Sequence, residues 1–423
     1  MLQINHIREN KELVIAGLTK KHFADAGQIV NQIIEIDQNR RELQHNSDIL
    51  LAEANLKAKS IGELMKAGKK EEAEAEKLVA SDLRTKTKEL QDLQASKEEE
   101  LTAALLKLPN LPHHSVPAGR TAEDNVNVYA AGEIPLLHAD AQPHWDLIKK
   151  YDIIDFDLGN KITGAGFPVY KNKGARLQRA LINFFLDEAT NAGYMEVQPP
   201  IMVNEASAYA TGQLPDKDGQ MYFATEDKLY LIPTAEVPIT NLYRDMIIKE
   251  EDLPIKNTGY TPCFRREAGS WGADVRGLNR LHQFDKVEIV QIALPEQSYA
   301  LLEEMKKHVQ GILEKLELPY RILHLCAGDM SFTSALTFDF EVYSAAQKRW
   351  LEVSSVSNFE NYQANRLKLR YKADGKMQLL HTLNGSALAL PRIVASILEN
   401  NQTPEGIRIP KALQPYTGFD IIN

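Results

Sequence analysis

The sequence predicts an α+β protein in which a long antiparallel helical hairpin precedes a mixed domain. From about residue 25 to residue 108 the chain has three glycines and no proline, and it consists mostly of residues that favour helix, such as Ala, Glu, Lys, Leu and Gln. Beyond about residue 116, short runs rich in β-forming residues (229–232, 289–292 and 337–342) are interspersed with amphipathic helical stretches such as 297–315. This mixture is typical of an α+β domain.

The helical region contains two apolar seams at roughly heptad spacing, which predicts a two-helix coiled coil. The seam residues are Ile29, Ile33, Ile36, Leu43 and Leu50, then Leu83, Leu90, Leu93, Leu101 and Leu105. Gly62 and Gly68 lie between the seams and predict the turn. At 1.5 Å per residue, a helix of about 35 residues would extend roughly 50 Å.

A stretch punctuated by prolines, residues 108–117, predicts a linker after the hairpin, because the residue before a proline is disfavoured in helix. The sequence therefore predicts two domains, residues 1–112 and 113–423. His113 and His114 fall in this linker, where neighbouring histidines are usually solvated and not metal ligands.

Composition excludes several classes of protein. Only two cysteines occur, Cys263 and Cys326, and neither belongs to a spacing typical of zinc ligands or of a disulfide scaffold. No apolar run has the length of a signal peptide or a membrane span, so we expect a cytoplasmic protein without a membrane partner. The formal net charge of −9 argues against extensive wrapping of nucleic acid but allows a local basic face.

The most informative segment is residues 261–288, TPCFRREAGSWGADVRGLNRLHQFDKVE, which predicts two strands joined by a long Gly-containing loop. Alternation along the first strand places Arg265 and Glu267 on one face and Arg266 on the other. A cation for phosphate and an acceptor for a base could then share one pocket. The alternative is a solvated hairpin with a salt-bridged face. No P-loop or Rossmann glycine motif competes for a nucleotide.

This segment resembles motif 2 of the class II aminoacyl-tRNA synthetases. Phe264-Arg-x-Glu267 is followed by a loop and by His282-Gln-Phe-x-Lys-Val-Glu288, the form seen in seryl-tRNA synthetases. Residues 193–201 follow a helix-like run (175–192) and resemble motif 1, with its proline at Pro200.

Residues 382–392 resemble motif 3, a strand running into a helix that carries an arginine, Arg392. Ala387, Leu390 and Pro391 stand where the general motif has glycines and often a glutamate, and this relaxed form resembles the seryl enzymes. Pro391 is expected in the first turn of the helix, where proline is tolerated. Two further segments, residues 234–236 and 352–355, stand in the order typical of the family.

The resemblance implies a catalytic domain built on a mainly antiparallel β-sheet flanked by helices, with ATP bound on the sheet. It implies activation of L-serine with ATP and Mg²⁺, followed by transfer to tRNA(Ser), and it leaves open whether tRNA(Sec) is also charged. It further implies a homodimer whose interface includes motif 1. The hairpin would be an arm that binds the tRNA, with a cluster of lysines at its tip (Lys57, Lys59, Lys66, Lys69 and Lys70) that nearby glutamates offset.

The same resemblance assigns site residues. The catalytic residues would be Arg265, at the α-phosphate, and Arg392, at the γ-phosphate. The residues implied for ATP are Arg265, Arg266, Glu267, Arg280, Leu281, Phe284, Glu352, Val353, Ser354, Ser355 and Arg392. Those implied for serine are Thr234, Ala235, Glu236, Arg265, Glu288, Asn384 and Ser386. Glu352 and Ser355 would hold Mg²⁺ together with ATP.

Two other readings stay open at this point. One is a class II homologue that loads an amino acid onto a carrier protein, although such relatives lack the arm and use a zinc site with cysteine. The other is a coiled-coil scaffold with a degenerate synthetase body, although every charged residue that the family match assigns to ATP and serine is present.

Overall fold

The computed structural model describes residues 1–216, 219–267 and 276–423. Most of the loop predicted between the two strands of the 261–288 segment, residues 268–275, lies outside the described residues. The chain divides into two compact units, Met1–Leu111 and Pro112–Asn423. In the described ranges, no helix is long and apolar enough to span a lipid bilayer.

The first unit is helical, and its two long helices form the predicted hairpin. Its helices are α1 (Ile4–Glu9), α2 (Lys11–Lys20), α3 (Ala26–Lys66) and α4 (Lys70–Leu105). The turn lies at Gly68, whose φ of +77° is a conformation that glycine adopts without strain. The predicted contribution of Gly62 to the turn is wrong, because Gly62 lies inside α3.

The seam between α3 and α4 has smaller and more polar residues than the leucine pattern predicted. Leu93 is 55 % exposed and does not belong to the seam. Small and polar side chains are buried in it instead, namely Ser47, Ala54, Ala73, Ala80 and Thr87. In the N-terminal part of α3, the buried carboxylate of Asp37 accepts hydrogen bonds from Arg8 at 2.8 Å, Arg40 at 2.9 Å and Arg41 at 3.1 Å.

The second unit combines a large β-sheet with helices. Its helices are α5 (His144–Lys150), α6 (Phe156–Ile162), α7 (Asn172–Asn191), α8 (Glu205–Thr211), α9 (Glu236–Asn241), α10 (Ser298–Lys315), α11 (Tyr362–Leu367), α12 (Leu390–Asn400) and α13 (Gln414–Thr417). Its 3₁₀ turns are Ala122–Asp124, Glu250–Asp252, Gly277–Asn279 and Lys411–Leu413.

Its strands are β1 (Val126–Ala131), β2 (Ile154–Asp155), β3 (Val169–Tyr170), β4 (Met195–Glu196), β5 (Met202–Val203), β6 (Phe223–Ala224), β7 (Leu229–Leu231), β8 (Ile247–Ile248), β9 (Ile255–Phe264), β10 (Gln283–Ala293), β11 (Tyr320–His324), β12 (Leu336–Ser344), β13 (Arg349–Asn358), β14 (Arg370–Ala373), β15 (Lys376–Leu379), β16 (His381–Ala389), β17 (Gln402–Thr403), β18 (Gly406–Arg408) and β19 (Ile421–Ile422).

The main sheet of the described residues has eight strands in the order β1-β11-β12-β13-β16-β10-β9-β4. Every neighbouring pair is antiparallel except β4 with β9, which is parallel. Apolar residues of α7, α10 and α12 join those of the central strands in one core, so one face of the sheet is covered by helices. This architecture confirms the predicted α+β class with a mainly antiparallel sheet.

The strand pair β9 and β10 positions the charged segment. Phe264 pairs with Gln283, and Cys263 pairs with Phe284. The sequence predicts Arg265 and Glu267 on the first strand, and this placement is wrong. Strand β9 ends at Phe264, and both residues lie just beyond it. These charged residues therefore lie at the end of the β9–β10 pair, where the backbone leaves the sheet.

Candidate active site

Two adjoining cavities lie where β9, β10, β13 and β16 meet at the sheet surface. Both are lined by Arg265, Glu267, Arg280, Lys286, Glu352 and Ser386. The first cavity continues toward Phe284 and Arg392, and the second continues toward Thr234, Glu236 and Glu288. Arg265 therefore stands at the junction of two spaces that differ in the groups lining them.

Arg265 is held in place through both its backbone and its side chain. Its backbone N–H donates to the carbonyl of His282 at 2.9 Å, and its Nε donates to the carbonyl of Pro233 at 3.4 Å. Its guanidinium carbon lies 5.2 Å from the centre of the Phe284 ring, which is within cation–π range. A guanidinium restrained in this way offers its remaining N–H groups to an anion in either cavity.

An ion pair joins Glu267 and Arg280 at the edge of the first cavity, with Oε2 and Nε 2.5 Å apart. Glu267 has a φ of +48°, so the backbone turns there and brings the carboxylate toward Arg280. The aromatic ring of Phe284 and the buried side chain of Leu281 line the same cavity. This combination of a flat apolar surface and a hydrogen-bond acceptor suits a purine base.

Arg392 lies at the far end of the first cavity, in the first turn of α12. Its Nε donates to the carbonyl of Asn279 at 3.1 Å, and its Nη1 donates to the carbonyl of Glu352 at 2.6 Å. Pro391 occupies the first turn of this helix, as expected, where it costs no helical hydrogen bond.

Residues 352–355 lie on β13 at a shift in its register with β12, where Val353 is an extra residue between the pairs Glu341–Glu352 and Phe340–Ser354. The Glu352 carboxylate is half-exposed and borders both cavities, whereas Ser355 lines only the second. Val353 is buried, and the hydroxyl of Ser354 donates to the carbonyl of Ser386 at 2.5 Å. Val353 and Ser354 also line the first cavity, but the hydroxyl of Ser354 is committed to this hydrogen bond, which leaves Glu352 and Ser355 as the candidate oxygen ligands.

In the second cavity, a buried network surrounds Glu288. The Lys286 ammonium lies 2.6 Å from Oε2 of Glu288 and donates to the Thr234 hydroxyl at 2.9 Å. Thr234 in turn donates to Oε2 of Glu288 at 3.2 Å, and the Asn384 amide donates to Oε1 at 3.1 Å. The charge of Glu288 is thus offset by Lys286 within the protein.

Glu236 is the second buried carboxyl of this cavity. Gln363 donates to its Oε1 at 2.6 Å, and Gln363 itself accepts from Thr382 at 2.7 Å. Burial raises the pKa of Glu236 from 4.5 to about 7, and the nearby negative charge of Glu288 adds to the increase, while Gln363, Lys286 and Arg265 oppose it. A cationic ligand would stabilise the ionised form of this carboxyl.

The structure brings most of the residues implied for the site to these cavities. Arg266 and Ala235 line neither cavity in the part of the chain that the structure describes. Arg266 is exposed and binds the carbonyl of Gln220 through its backbone, whereas Ala235 is packed in the interior against Ile239.

Sequence reasoning missed Lys286, which borders both cavities. The signal was present, because Phe284, Lys286 and Glu288 are two residues apart on one strand and must share a face. It also missed Gln363 and Asn279, which reach the site from a short helix and a 3₁₀ turn and follow no periodic pattern.

A mainly antiparallel sheet covered by helices on one face, with the Glu267–Arg280 pair beside the ends of two central strands, agrees with the class II aminoacyl-tRNA synthetases, and comparison with known proteins shows that the chain belongs to that class. The profile of the tRNA synthetase class II core domain (G, H, P, S and T) matches residues 222–401, and that of the seryl-tRNA synthetase N-terminal domain matches residues 1–112. The chain belongs to the seryl-tRNA synthetase family.

Similar proteins cover the whole chain. The serine–tRNA ligase of Salinibacter ruber is 49 % identical over 99 % of this chain and 98 % of its own length. That of Chlorobium luteolum is 48 % identical over 100 % of this chain and 99 % of its own. The crystal structure of the Pyrococcus horikoshii seryl-tRNA synthetase complexed with ATP is 33 % identical, with a TM-score of 0.92 over 100 % of this chain and 99 % of that chain. The match includes the N-terminal arm, which sets this chain apart from carrier-protein ligases.

Proposed function

We propose that the first cavity binds ATP, that the second binds L-serine, and that Arg265 holds the reacting groups where the two meet. As a serine–tRNA ligase, the protein activates serine with ATP and transfers it to tRNA. The observation that carries the assignment of the cavities is that Arg265 borders both, next to an aromatic ring in one and two buried carboxyl groups in the other.

Activation requires the serine carboxylate to attack the α-phosphorus of ATP in line, so that a carboxyl oxygen forms a bond to phosphorus and pyrophosphate leaves. Such a transfer depends mainly on positioning and on neutralising charge. The Arg265 guanidinium can bind a phosphate oxygen and a carboxylate oxygen with separate N–H groups. It would hold the two anions together and stabilise the charge that develops between them.

The first cavity provides the other contacts that ATP needs. The adenine ring would stack on Phe284, and Glu267 would accept from its amino group once Arg280 moves to a phosphate. Arg392, fixed by the carbonyls of Asn279 and Glu352, would bind the terminal phosphate. Positive charge at both ends of the triphosphate favours departure of pyrophosphate.

The oxygen groups beside this cavity fit a hard divalent cation such as Mg²⁺. Glu352 and Ser355 contribute a carboxylate and a hydroxyl, which are the ligand types that Mg²⁺ prefers. Asp339 stands opposite Ser355 on β12, and its Oδ1 is buried without a hydrogen-bond partner in the described structure. When bound, the metal would neutralise phosphate charge. Glu352 and Ser355 would hold it and so orient the phosphates.

The second cavity suits the ammonium and hydroxyl groups of serine. Because Lys286 offsets Glu288, the ionised Glu236 leaves the pocket with a net acceptor for the ammonium. Glu288, Asn384 and Ser386 supply partners for the hydroxyl. Alanine cannot make these hydrogen bonds, and their loss discriminates more strongly than the loss of one small apolar contact.

Replacing Glu288 with glutamine should raise the KM for serine at least tenfold in pyrophosphate exchange and leave the KM for ATP within about twofold. The substitution removes the charge that pairs with Lys286 and weakens the acceptor for the substrate, an effect on the order of 1.5 to 3 kcal/mol for a hydrogen bond to a charged group. The matched control is Glu267→Gln, which should show the reverse pattern. An equal loss for both substrates in Glu288→Gln would place Glu288 outside the serine site.

Serine binding should depend on pH through Glu236. Its pKa of about 7 means that the free enzyme must lose a proton from Glu236 to bind the ammonium, so the KM for serine should rise about tenfold between pH 8 and pH 6. The same shift implies that the native state holds a proton that the unfolded state releases. This group therefore favours the native state less as the pH rises from about 4.5 to about 7. A KM for serine that is constant from pH 6 to 8, or an equally steep dependence in Glu236→Gln, would contradict the assignment.

We further propose that residues 1–112 form the tRNA-binding arm and residues 113–423 the catalytic domain, and that the protein is a homodimer. The motif 1 segment supports the dimer, because β4 is an edge strand and the segment exposes apolar side chains, with Met195 on β4 57 % exposed and Ile201 37 % exposed. A charging assay with purified tRNA(Ser) and tRNA(Sec) decides whether both are substrates. The cytoplasmic location stays a prediction.

A further inference from the structure

A buried histidine and a buried glutamate lie in the protein interior, next to residues that line the cavity proposed for ATP. His144 is the first residue of α5, and Glu399 lies near the end of α12, the helix that begins beside Arg392. Both side chains are completely buried. His144 Nδ1 lies 2.6 Å from Oε1 of Glu399, and the backbone N–H of His144 donates to the same oxygen at 2.8 Å.

The other ring nitrogen of His144 fixes its tautomer. Its Nε2 lies 2.8 Å from the backbone nitrogen of Leu278, whose N–H donates to it. An imidazole nitrogen that accepts a hydrogen bond carries no proton, so the proton of the neutral ring is on Nδ1 and is donated to Glu399. A proton on Nε2 would point at the backbone N–H of Leu278, so two donors would face each other and the hydrogen bond would be lost.

The segment that His144 holds is a wall of the ATP cavity. Residues 278–281 all line it, and Asn279 also accepts from Arg392 through its carbonyl. The contact leaves no room for a larger residue at Gly277, because a Cβ there would lie 2.3 Å from His144 Nε2. Next to it, the Arg276 guanidinium lies 4.7 Å from the ring centre of Trp145, so α5 contacts this segment twice.

A second chain of hydrogen bonds closes the network. The Asn279 amide donates to Gln347 Oε1 at 3.0 Å, and Gln347 Nε2 donates to Glu399 at 2.9 Å. The Ser344 hydroxyl also donates to Glu399. The wall of the cavity and the helix that carries Arg392 are thus joined through Glu399 by two routes, one through His144 and one through Gln347.

We propose that His144 is a positioning residue for ATP, which fixes the 3₁₀ turn Gly277–Asn279 against α12 and so sets the position of Arg392 at the terminal phosphate. The inference rests on the role proposed above for Arg392. His144 touches no substrate in this arrangement and acts through Leu278 and Glu399. Loss of His144 should therefore weaken binding of the ATP phosphate that Arg392 contacts and leave binding of serine in the second cavity unchanged.

The test is His144→Phe in the full-length protein, since phenylalanine keeps a ring of similar size but makes neither hydrogen bond. The KM for ATP in serine-dependent pyrophosphate exchange should rise about tenfold, as expected for the loss of one or two hydrogen bonds. The KM for serine should stay within twofold. His144→Gln, which can return an acceptor near the position of Nε2, should recover most of the affinity for ATP.

A stable seryl-adenylate analogue, 5′-O-(N-seryl)sulfamoyl adenosine, separates positioning from a general loss of structure. It has no β- or γ-phosphate, so its dissociation constant should change less than twofold in His144→Phe. His308→Phe is the matched control, because His308 is a partly buried histidine in the same unit that packs on Tyr194. This control should leave both constants unchanged.

If His144→Phe folds poorly, Gln347→Met tests the same network from its other side and should raise the KM for ATP in the same selective way. Equal losses for ATP and for the analogue would overturn the inference, and so would an unchanged KM for ATP in both variants. Arg392→Ala distinguishes this failure from failure of the proposed function. A raised KM for ATP in Arg392→Ala alone refutes only the role of His144, whereas an unchanged KM in Arg392→Ala refutes both proposals.

Discussion

Arg265→Ala should reduce serine-dependent pyrophosphate exchange by a factor of about 10² to 10³, while the protein stays folded. Removing a preorganised cation from the centre of charge development typically costs this much in rate. Arg265 lies at the junction of both cavities, and in the described residues its side chain donates to the backbone carbonyl of Pro233, so alanine breaks no direct ion pair with a buried carboxylate. The measurement is the exchange rate at saturating ATP and serine, with the melting temperature followed in parallel.

The neighbouring arginine provides the control. Arg266 is exposed and lines neither described cavity, so Arg266→Ala should retain exchange within a few-fold of the parent. Similar losses in both variants would indicate a general electrostatic effect of the strand end. Exchange within a few-fold of the parent in Arg265→Ala would remove Arg265 from the reaction centre.

A protein that begins at Pro112 should form the adenylate almost normally and fail to charge tRNA. The division into compact units falls at Leu111 and Pro112, and every residue assigned to ATP and serine lies at or beyond Thr234, within the second unit. Contacts with the tRNA backbone through the arm would be lost, and these contacts supply the salt-dependent part of the affinity.

The experiment pairs pyrophosphate exchange with tRNA charging on the same truncated protein, at low and moderate salt. The full-length protein is the reference for both the activity and its salt dependence. Loss of both activities in a folded protein would mean that the arm supports the active site. Retention of both would leave the arm as a scaffold and refute its role in tRNA binding.

The sequence predicted those parts of the structure that depend on local composition and on short motifs. The hairpin follows from a long stretch without proline, and the placement of Pro391 follows from the conformational limits of proline. The details of the seam did not follow, because packing between two helices selects residues by their fit as well as by their hydrophobicity. Leu93 was therefore assigned wrongly, and buried alanines such as Ala54 and Ala80 were not anticipated.

The site shows the same limit. Arg265 and Glu267 could be placed together because they lie in one motif on one strand end. The pair His144 and Glu399 could not, because its members are 255 residues apart and neither belongs to a recognisable pattern. Buried polar networks of this kind are specified by three-dimensional packing, in which each donor is matched to an acceptor from a distant part of the chain.

The small residues in the seam of the hairpin make the apolar packing between α3 and α4 unequal along its length. Toward its base, Ile33 and Ile36 are buried close to Asp37 and its three arginines, whereas toward the turn the buried apolar residues are alanines and Leu56 and Leu78 are 69 % and 74 % exposed. Less apolar area is removed from water per turn at the tip, so local opening costs less free energy there than at the base. We therefore expect local opening of the hairpin to begin at the turn and to leave the packing around Ile33 and Ile36 undisturbed, which hydrogen exchange along α3 and α4 would measure.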